Sequence, residues 1–288
     1  MTELAPLATL YEASAGEDVA LPARLAALYG RFPLPRAAGR PHVIANFVAT
    51  LDGVVALNEP GHPSGGDISG FDKHDTAVMG LLRAIADAVV VGAGTLRSTG
   101  PRHIWTAEYI HRDLADDYRA LRRSLGKEGP PLNEIVTRSG ELELSRRLFQ
   151  SGEVPVLIVT SEKGASVLRQ QPLPASVQVA VAAADGPLGA RAILAAVAAQ
   201  RACEHILVEG GPTLMGDFFA EQCIDEQWLT LAPQIAGRGE KERPGLVMGK
   251  TFAPDHPLWA ALTSVRRSAS HLFLRYAFGA SAETPAVH

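Results

Sequence analysis

Chemistry in this sequence is concentrated at two glycine turns. Ile206, Leu207 and Val208 form a short apolar run of the kind used by a buried strand. Glu209 follows, and Gly210-Gly211-Pro212-Thr213-Leu214 turns the chain toward a helix for which Thr213 is a suitable cap. Glycine allows the backbone to approach a ligand closely, and the unpaired N–H groups of a first helical turn favour an anion, so a phosphate suits this arrangement. The same residues could also be a plain strand-to-helix connection in which glycine only turns the chain. A second instance decides between the two: Asp87 to Val91 is another apolar run, followed directly by Gly92-Ala93-Gly94-Thr95. Two phosphate-accepting turns in one chain point to a dinucleotide. The G-x-G-x-x-G fingerprint is absent, because its third glycine would fall at Arg97, so the cofactor pocket is built another way.

Charged residues mark a second group. A helix is expected over about 72–85, with Asp72 and Asp75 in its opening turns and Arg83 near its end. That order suits the helix dipole and needs no function; equally, these side chains could touch a substrate lying beside the helix. Thr50-Leu51-Asp52-Gly53 ends the first strong strand, 43–49, at the kind of position where open α/β sheets bind ligands. Residues 58–70, rich in Gly and Pro, read as a loop long enough to be a mobile flap over a site.

The elements that position these residues alternate. Strand-like runs recur at 134–137, 155–160 and 177–181, with helical segments near 163–170 and 189–201 and a charged helical pattern over 106–125. This alternation predicts a mostly parallel sheet with helices on both faces. The runs at 227–232, 261–265 and 272–276 have no long helices between them and predict antiparallel additions. Residues 1–40 are read as an N-terminal extension packed on the body, with a short helix near 21–28 beginning at proline, residues 41–280 as the main domain and 281–288 as a tail.

Composition sets the class. The 288 residues are 47% hydrophobic, enough for a substantial core, with a net charge of −4 that offers no basic surface to nucleic acid or membrane. Cys203 and Cys223 are the only cysteines, which fits a reduced compartment and leaves no Cys-rich metal site. No apolar run reaches transmembrane length and no basic, apolar leader opens the sequence, so the expectation is a cytoplasmic protein.

Several pieces, in order, carry a resemblance: Ala49-Thr50-Leu51-Asp52-Gly53, Leu81-Leu82-Arg83-Ala84, Ala86 to Thr95, Val208 to Leu214, Ile224-Asp225-Glu226 and Ala232 to Gly237. Over about residues 41–278 the chain resembles the reductase domain of bacterial riboflavin biosynthesis. The resemblance implies a dihydrofolate reductase-like three-layer α/β/α fold with a mostly parallel central sheet and antiparallel C-terminal strands. It also implies a homodimer, with the strands near 227–232 and 272–276 at or beside the interface. The activity it implies is NADPH-dependent reduction of the ribosyl group of 5-amino-6-(5-phosphoribosylamino)uracil. Ala49, Thr95 and the run from Gly211 to Asp217 fall where that family holds NADPH; Gly92, Gly94, Gly210, Pro212, Thr213, Leu214 and Asp52 belong to the same turns. Arg83 and Glu209 fall where the family contacts substrate. Thr137-Arg138-Ser139 follows a strand as the segment gripping the adenosine 2′-phosphate does in dihydrofolate reductases; one arginine and two hydroxyls suit a dianion.

Departures fall on the substrate side. The family's Asp-Asp-Pro segment is replaced by Arg97-Ser98-Thr99-Gly100-Pro101-Arg102-His103, with Thr99 at the position of the functional aspartate, and its Ser-x-Trp stretch is shortened to residues 64–70. Arg97 or Arg102 could replace the missing substrate arginine. The deaminase's His-x-Glu and Pro-Cys-x-x-Cys zinc motif appears nowhere in the sequence, so the resemblance is to the reductase alone. Asp75 lies close to the carboxylate by which dihydrofolate reductases bind and protonate a pterin, which keeps a dihydrofolate or pterin reductase as a second reading. A catalytically silent NADP-binding protein is the non-enzymatic one. For either enzyme, Asp75 and Glu209 are the candidates for proton handling or substrate anchoring, Arg83 is the candidate for a substrate anion, and the cofactor is NADPH.

Overall fold

A computed structural model describes residues 4–59, 61–62, 64–239 and 242–279. Its strands are β1 (Ala8–Glu12), β2 (Glu17–Asp18), β3 (Pro33–Leu34), β4 (His42–Ala49), β5 (Ala88–Gly92), β6 (Leu132–Val136), β7 (Val156–Ser161), β8 (Val177–Ala183), β9 (His205–Val208), β10 (Glu226–Leu231), β11 (Ala261–Ser268) and β12 (His271–Ala277). Its helices are α1 (Ala23–Tyr29), α2 (Ser64–Ser69), α3 (Lys73–Ile85), α4 (Ala93–Ser98), α5 (Ala107–Ile110), α6 (Ala115–Ser124), α7 (Arg147–Gln150), α8 (Glu162–Leu168), α9 (Ala190–Gln200) and α10 (Pro212–Ala220).

Ten strands form one sheet in the order β1-β11-β12-β10-β4-β9-β5-β6-β7-β8. From β10 to β8 every neighbouring pair is parallel, and β12, β11 and β1 add in antiparallel fashion beyond β10. The central strands are apolar at consecutive positions because both faces are covered. On β5, Val89 and Val91 pack into one core with α3 residues such as Leu81 and Leu82, while Ala88 and Val90 pack into the other with Ile193 of α9 and Phe218 of α10. This is the layered, mostly parallel arrangement expected from the sequence, with one refinement: β10 pairs parallel with β4 and antiparallel with β12, so the change of direction comes one strand later.

Two side chains set strand entry and helix start near the site. Asp72 caps α3, its carboxylate accepting from the amides of His74 and Asp75, both at 2.9 Å. Asp87 accepts from the amides of Glu204 (2.8 Å) and His205 (3.0 Å) and pairs with Lys127 at 2.5 Å, tying the entries of β5 and β9 together. Burial alone would raise the Asp87 carboxyl, but these amide and ammonium partners hold it below its ordinary value.

Four expectations change. The 58–70 segment is not all loop, because 64–69 form α2, whose Ile68 is fully buried in an apolar cluster with Val48, Val54 and Ala232; Pro60 and Pro63 lie outside the described residues, as does the 281–288 tail. The charged pattern over 106–125 breaks into α5, a single 3-10 turn (Arg112–Leu114) and α6, since His111 leaves helical geometry at φ −141° and ψ 88°. Thr213 is not the cap of α10: Gly211 is, and Pro212 takes the first helical position, which needs no N–H. The N-terminal segment does more than pack on the body, since β1 pairs with β11.

That segment is held by stacked cations. Tyr29, Phe32 and Trp228 form an aromatic cluster; Arg266 lies 4.0 Å from the Tyr29 ring centroid and Arg275 4.4 Å from that of Trp228. Arg266 also pairs with Glu12 at 2.7 Å and Arg275 with Glu226 at 3.0 Å.

Packing of α3 on α6 leaves no spare volume. A Cβ on Gly80 would lie 2.5 Å from the ring and hydroxyl of Tyr118, which is fully buried and donates to the Ala77 carbonyl at 2.8 Å. Alanine improves helix propensity by about 1 kcal/mol, whereas overpacking at a ring that cannot move costs about 1–3 kcal/mol. Gly80→Ala is therefore expected to lower the urea midpoint, and a raised midpoint would contradict the packing described.

Candidate active site

Four turns line up along the carboxyl edge of the parallel strands: Thr50–Gly53 after β4, Glu209–Gly211 after β9, Gly92–Thr95 at the end of β5 and Thr137–Ser139 after β6. Strand order places them side by side, so turns far apart in sequence become one edge. The two glycine turns touch. The Gly92 amide donates to the Gly210 carbonyl at 2.6 Å, and the Glu209 amide to Val90 at 3.0 Å. Gly210, at φ +90°, joins Gly211 through a cis peptide, and any Cβ on Gly210 would collide with the Phe47 ring. A Cβ on Gly211 would lie 3.2 Å from the Thr95 hydroxyl, while one on Gly94 would meet nothing within 4 Å. Thus Gly210 is required by packing, whereas the backbone at Gly94 faces open space. Pro212, Thr213 and Leu214 form the first turn of α10 beside them. Ala49 ends β4, its carbonyl accepting from the Ala232 amide at 2.8 Å.

Asp52 is already engaged by backbone of this same edge. Its carboxylate accepts from the amides of Ala236 (3.1 Å) and Gly237 (2.8 Å) and from the Thr50 hydroxyl at 2.5 Å. The Thr50 hydroxyl and these amides hold it down at about 2. It clamps the segment after β10 to the turn after β4. Thr137 also turns inward, its hydroxyl accepting from the Gly140 amide, whereas Arg138 and Ser139 are exposed.

Arg83 and Glu209 meet each other. Nε and Nη2 of Arg83 donate to the two carboxylate oxygens at 3.0 and 2.7 Å, the side chains being 2% and 7% exposed, and Nη1 donates to the Thr106 carbonyl at 3.3 Å. With its donors so committed, Arg83 braces the β9 turn rather than offering a free cation to a substrate anion, and both carboxylate oxygens of Glu209 are taken up by it. Removing one member of such a pair leaves a buried charge uncompensated, typically a loss of about 3–5 kcal/mol.

Asp75 is the carboxyl with the altered acidity. It is 6% exposed in the first turn of α3, faced by the hydroxyls of Thr230 and Ser69, and burial pushes it up to about 6. Such a group can hold or release a proton near neutral pH. Sequence reading passed over His103 as a site residue. Its ring packs 4.6 Å from Trp105 and 4.8 Å from Tyr109, and burial with the nearby Arg83 charge pushes it down to about 3, so it stays neutral. Its place in the segment that departs from the family was the one available signal. In that segment Thr99 ends α4, donating to Leu96 at 2.9 Å, and Arg97 and Arg102 are exposed.

A cavity of about 970 Å³ lies elsewhere, against the segments that enter β6 and β7. Its basic lining is mostly spent: Arg122 on backbone carbonyls, Lys127 on Asp87, and Arg147 on Glu153. Among the described residues no cluster of His, Cys, Asp and Glu could hold a metal ion, and no helix is long and apolar enough to cross a membrane.

Comparison with known proteins fits this geometry. Residues 41–266 match the model of the RibD C-terminal domain. The chain is similar to a 2,5-diamino-6-ribosylamino-4(3H)-pyrimidinone 5′-phosphate reductase of Archaeoglobus fulgidus, 26% identical over 74% of this chain and 89% of that protein. It is 25% identical to the riboflavin biosynthesis protein RibD of Aquifex aeolicus, covering 69% of this chain and only 48% of that protein. Among solved structures, a pyrimidine reductase-like protein from Corynebacterium diphtheriae superposes with a TM-score of 0.65 at 25% identity, over 83% of this chain and 92% of the other. A deaminase/reductase from Thermotoga maritima, at 22% identity and a TM-score of 0.59, over 83% of this chain and 57% of the other, shares the fold.

Titration of Asp75 is testable without a substrate. A carboxyl raised from 3.8 to about 6 on folding contributes stability that is fully present below pH 4 and lost as pH rises through 6. At 1.36 kcal/mol per unit, the loss is about 3 kcal/mol. Urea unfolding of Asp75→Asn and the parent should therefore diverge between pH 4 and pH 7, in favour of the variant by about that amount. A difference independent of pH would show that Asp75 titrates normally.

Proposed function

Because this chain belongs to the RibD C-terminal domain family, whose named relatives are reductases of riboflavin biosynthesis, we propose that it reduces the ribosyl group of a phosphoribosylamino-pyrimidine with NADPH. The observation that carries this reading is the single edge on which the two glycine turns and the start of α10 come together. The residues present fit a nicotinamide dinucleotide: the open backbone at Gly94, the Thr95 hydroxyl beside Gly211, and the first turn of α10 suit a pyrophosphate. Arg138 and Ser139, exposed after β6, would take the 2′-phosphate that distinguishes NADPH from NADH. When bound, that cofactor supplies the hydride.

The chain's own residues do the rest. Ala49 and the turns at Gly92–Thr95 and Gly210–Leu214 orient the cofactor. The Arg83–Glu209 pair fixes the β9 turn against α3, and α2 with Ile68 shields the site from water. Asp75 anchors the substrate ring or holds the proton that the reduced product needs. Arg97 and Arg102, exposed near α4, are the cations left for the substrate phosphate.

Two pyrimidines come into question. The chain spans 89% and 85% of two relatives named for the 2,5-diamino-pyrimidinone phosphate but about half of the RibD proteins it matches. The diamino compound is thus the second reading beside 5-amino-6-(5-phosphoribosylamino)uracil. We also propose a homodimer. Leu229, Leu231, Leu272, Leu274 and Tyr276 share the face of β10 and β12 opposite Trp228 and Phe273, are half-buried, and join none of the apolar cores. Light scattering of Leu274→Arg should then give half the mass of the parent; a monomeric parent at micromolar concentration defeats the proposal.

Activity is tested by following NADPH oxidation with the aminouracil phosphate, the diaminopyrimidinone phosphate and dihydrofolate in parallel. Turnover of a phosphoribosyl compound and none of dihydrofolate is expected; turnover of dihydrofolate alone reverses the assignment. Arg138→Ala should raise the KM for NADPH about tenfold or more, as loss of a charge-assisted contact implies, and leave that for NADH unchanged. Equal KM values for the two cofactors in the parent would remove the 2′-phosphate site.

A further inference from the structure

Gln234 occupies a junction that the proposed chemistry does not use. It follows β10 by three residues, and its side-chain amide donates to two backbone carbonyls of α2, Asp67 at 2.9 Å and Ile68 at 2.7 Å. Its backbone carbonyl accepts from the Leu51 amide at 2.8 Å, in the turn after β4. One residue thus joins the end of β10, the β4 turn and the short helix over the site. The next residue of α2 is Ser69, whose hydroxyl faces Asp75 while donating to the Gly66 carbonyl at 3.3 Å, and whose carbonyl accepts from the His271 ring at 2.9 Å.

We propose that Gln234 is a positioning residue: through its two bonds to α2 it holds Ser69 over Asp75 and keeps water from that carboxyl, thereby setting the proton affinity on which the reaction draws. The catalytic part of this statement rests on the reductase reading; the control of Asp75 does not. Asp75 faces groups from four elements. Ser69 comes from α2, Thr230 from β10, Asp72 from the cap of its own helix and His271 from β12. Burial is the largest influence and raises Asp75; the Thr230 and Ser69 hydroxyls and the His271 charge lower it and the Asp72 charge raises it, so the net effect follows burial, which Gln234 controls by holding the covering segment shut. Ile68 adds apolar contact with Val48, Val54 and Ala232, so the segment stays attached without Gln234 but loses its fixed register over Asp75. Two bonds to buried carbonyls also leave those acceptors unsatisfied when the donor is removed, which favours an opened, hydrated α2.

The test is the titration midpoint of the Asp75 carboxyl carbon by NMR in the parent, Gln234→Met and Gln234→Asn. Methionine keeps the volume without a donor; asparagine keeps the donor but is one methylene short, and serves if the first variant does not fold. The parent midpoint should lie near 6 and fall by at least one pH unit in a folded variant. The pH profile of kcat, where turnover is present, should move in the same direction, with kcat affected more than the KM for cofactor. An unchanged midpoint in a folded variant, or an ordinary midpoint in the parent, overturns the proposal. A shifted midpoint in a protein that turns over neither pyrimidine upholds the latch and removes the reductase reading instead.

Discussion

A guanidinium and a carboxylate taken out of water together are the constraint on which the rest of this site depends. Arg83 and Glu209 meet with two parallel hydrogen bonds, and neither has another charge to turn to. Desolvation of either alone would be prohibitive, so the last turn of α3 and the turn after β9 must keep their spacing whenever the protein is folded. Because Gly210 follows Glu209 directly and bonds to Gly92, the pair also fixes the two glycine turns relative to each other. A third donor of Arg83 reaches Thr106, which brings in the segment after α4.

At the other end of α3 stands a carboxyl treated in the opposite way. Asp75 has two hydroxyls but no cation within a salt bridge, so burial wins and its proton is held more tightly. Glu209 is paired with Arg83; Asp75 faces no arginine, and burial pushes it up to about 6.

Much of the edge was legible in the sequence, for a physical reason. Strands buried on both faces are continuous apolar runs, and the glycines that end β5 and β9 stand out directly after them. The mutual pairing of Arg83 and Glu209 was not legible, because 126 residues separate them and only the sheet order places β9 beside β5. Asp52 was read as a ligand residue because strand ends bind ligands, yet its oxygens are taken by amides nearly two hundred residues away. The break after Ile110 was hidden for a different reason: charge patterning along 106–125 continues through it while the backbone turns. Partners distant in sequence and local backbone changes leave little trace in composition or period.

Sheet order has a further consequence, in the time over which the chain is made. β5, β6, β7 and β8 are neighbours in both sequence and space, so they can pair as soon as residue 183 is available. β4 precedes them but cannot join, because β9 stands between β4 and β5 and is synthesised some 150 residues after β4. Until then β4 and the turn after it remain unpaired, and β1 waits longer still for β11. Contacts this distant slow folding because the entropy of loop closure is lost before they reward it. The nascent protein thus holds a preassembled four-strand half and an early apolar strand with no seat. The segment of α2 and Asp75 lies between the two, and its surroundings are completed only when β10 and β12 arrive.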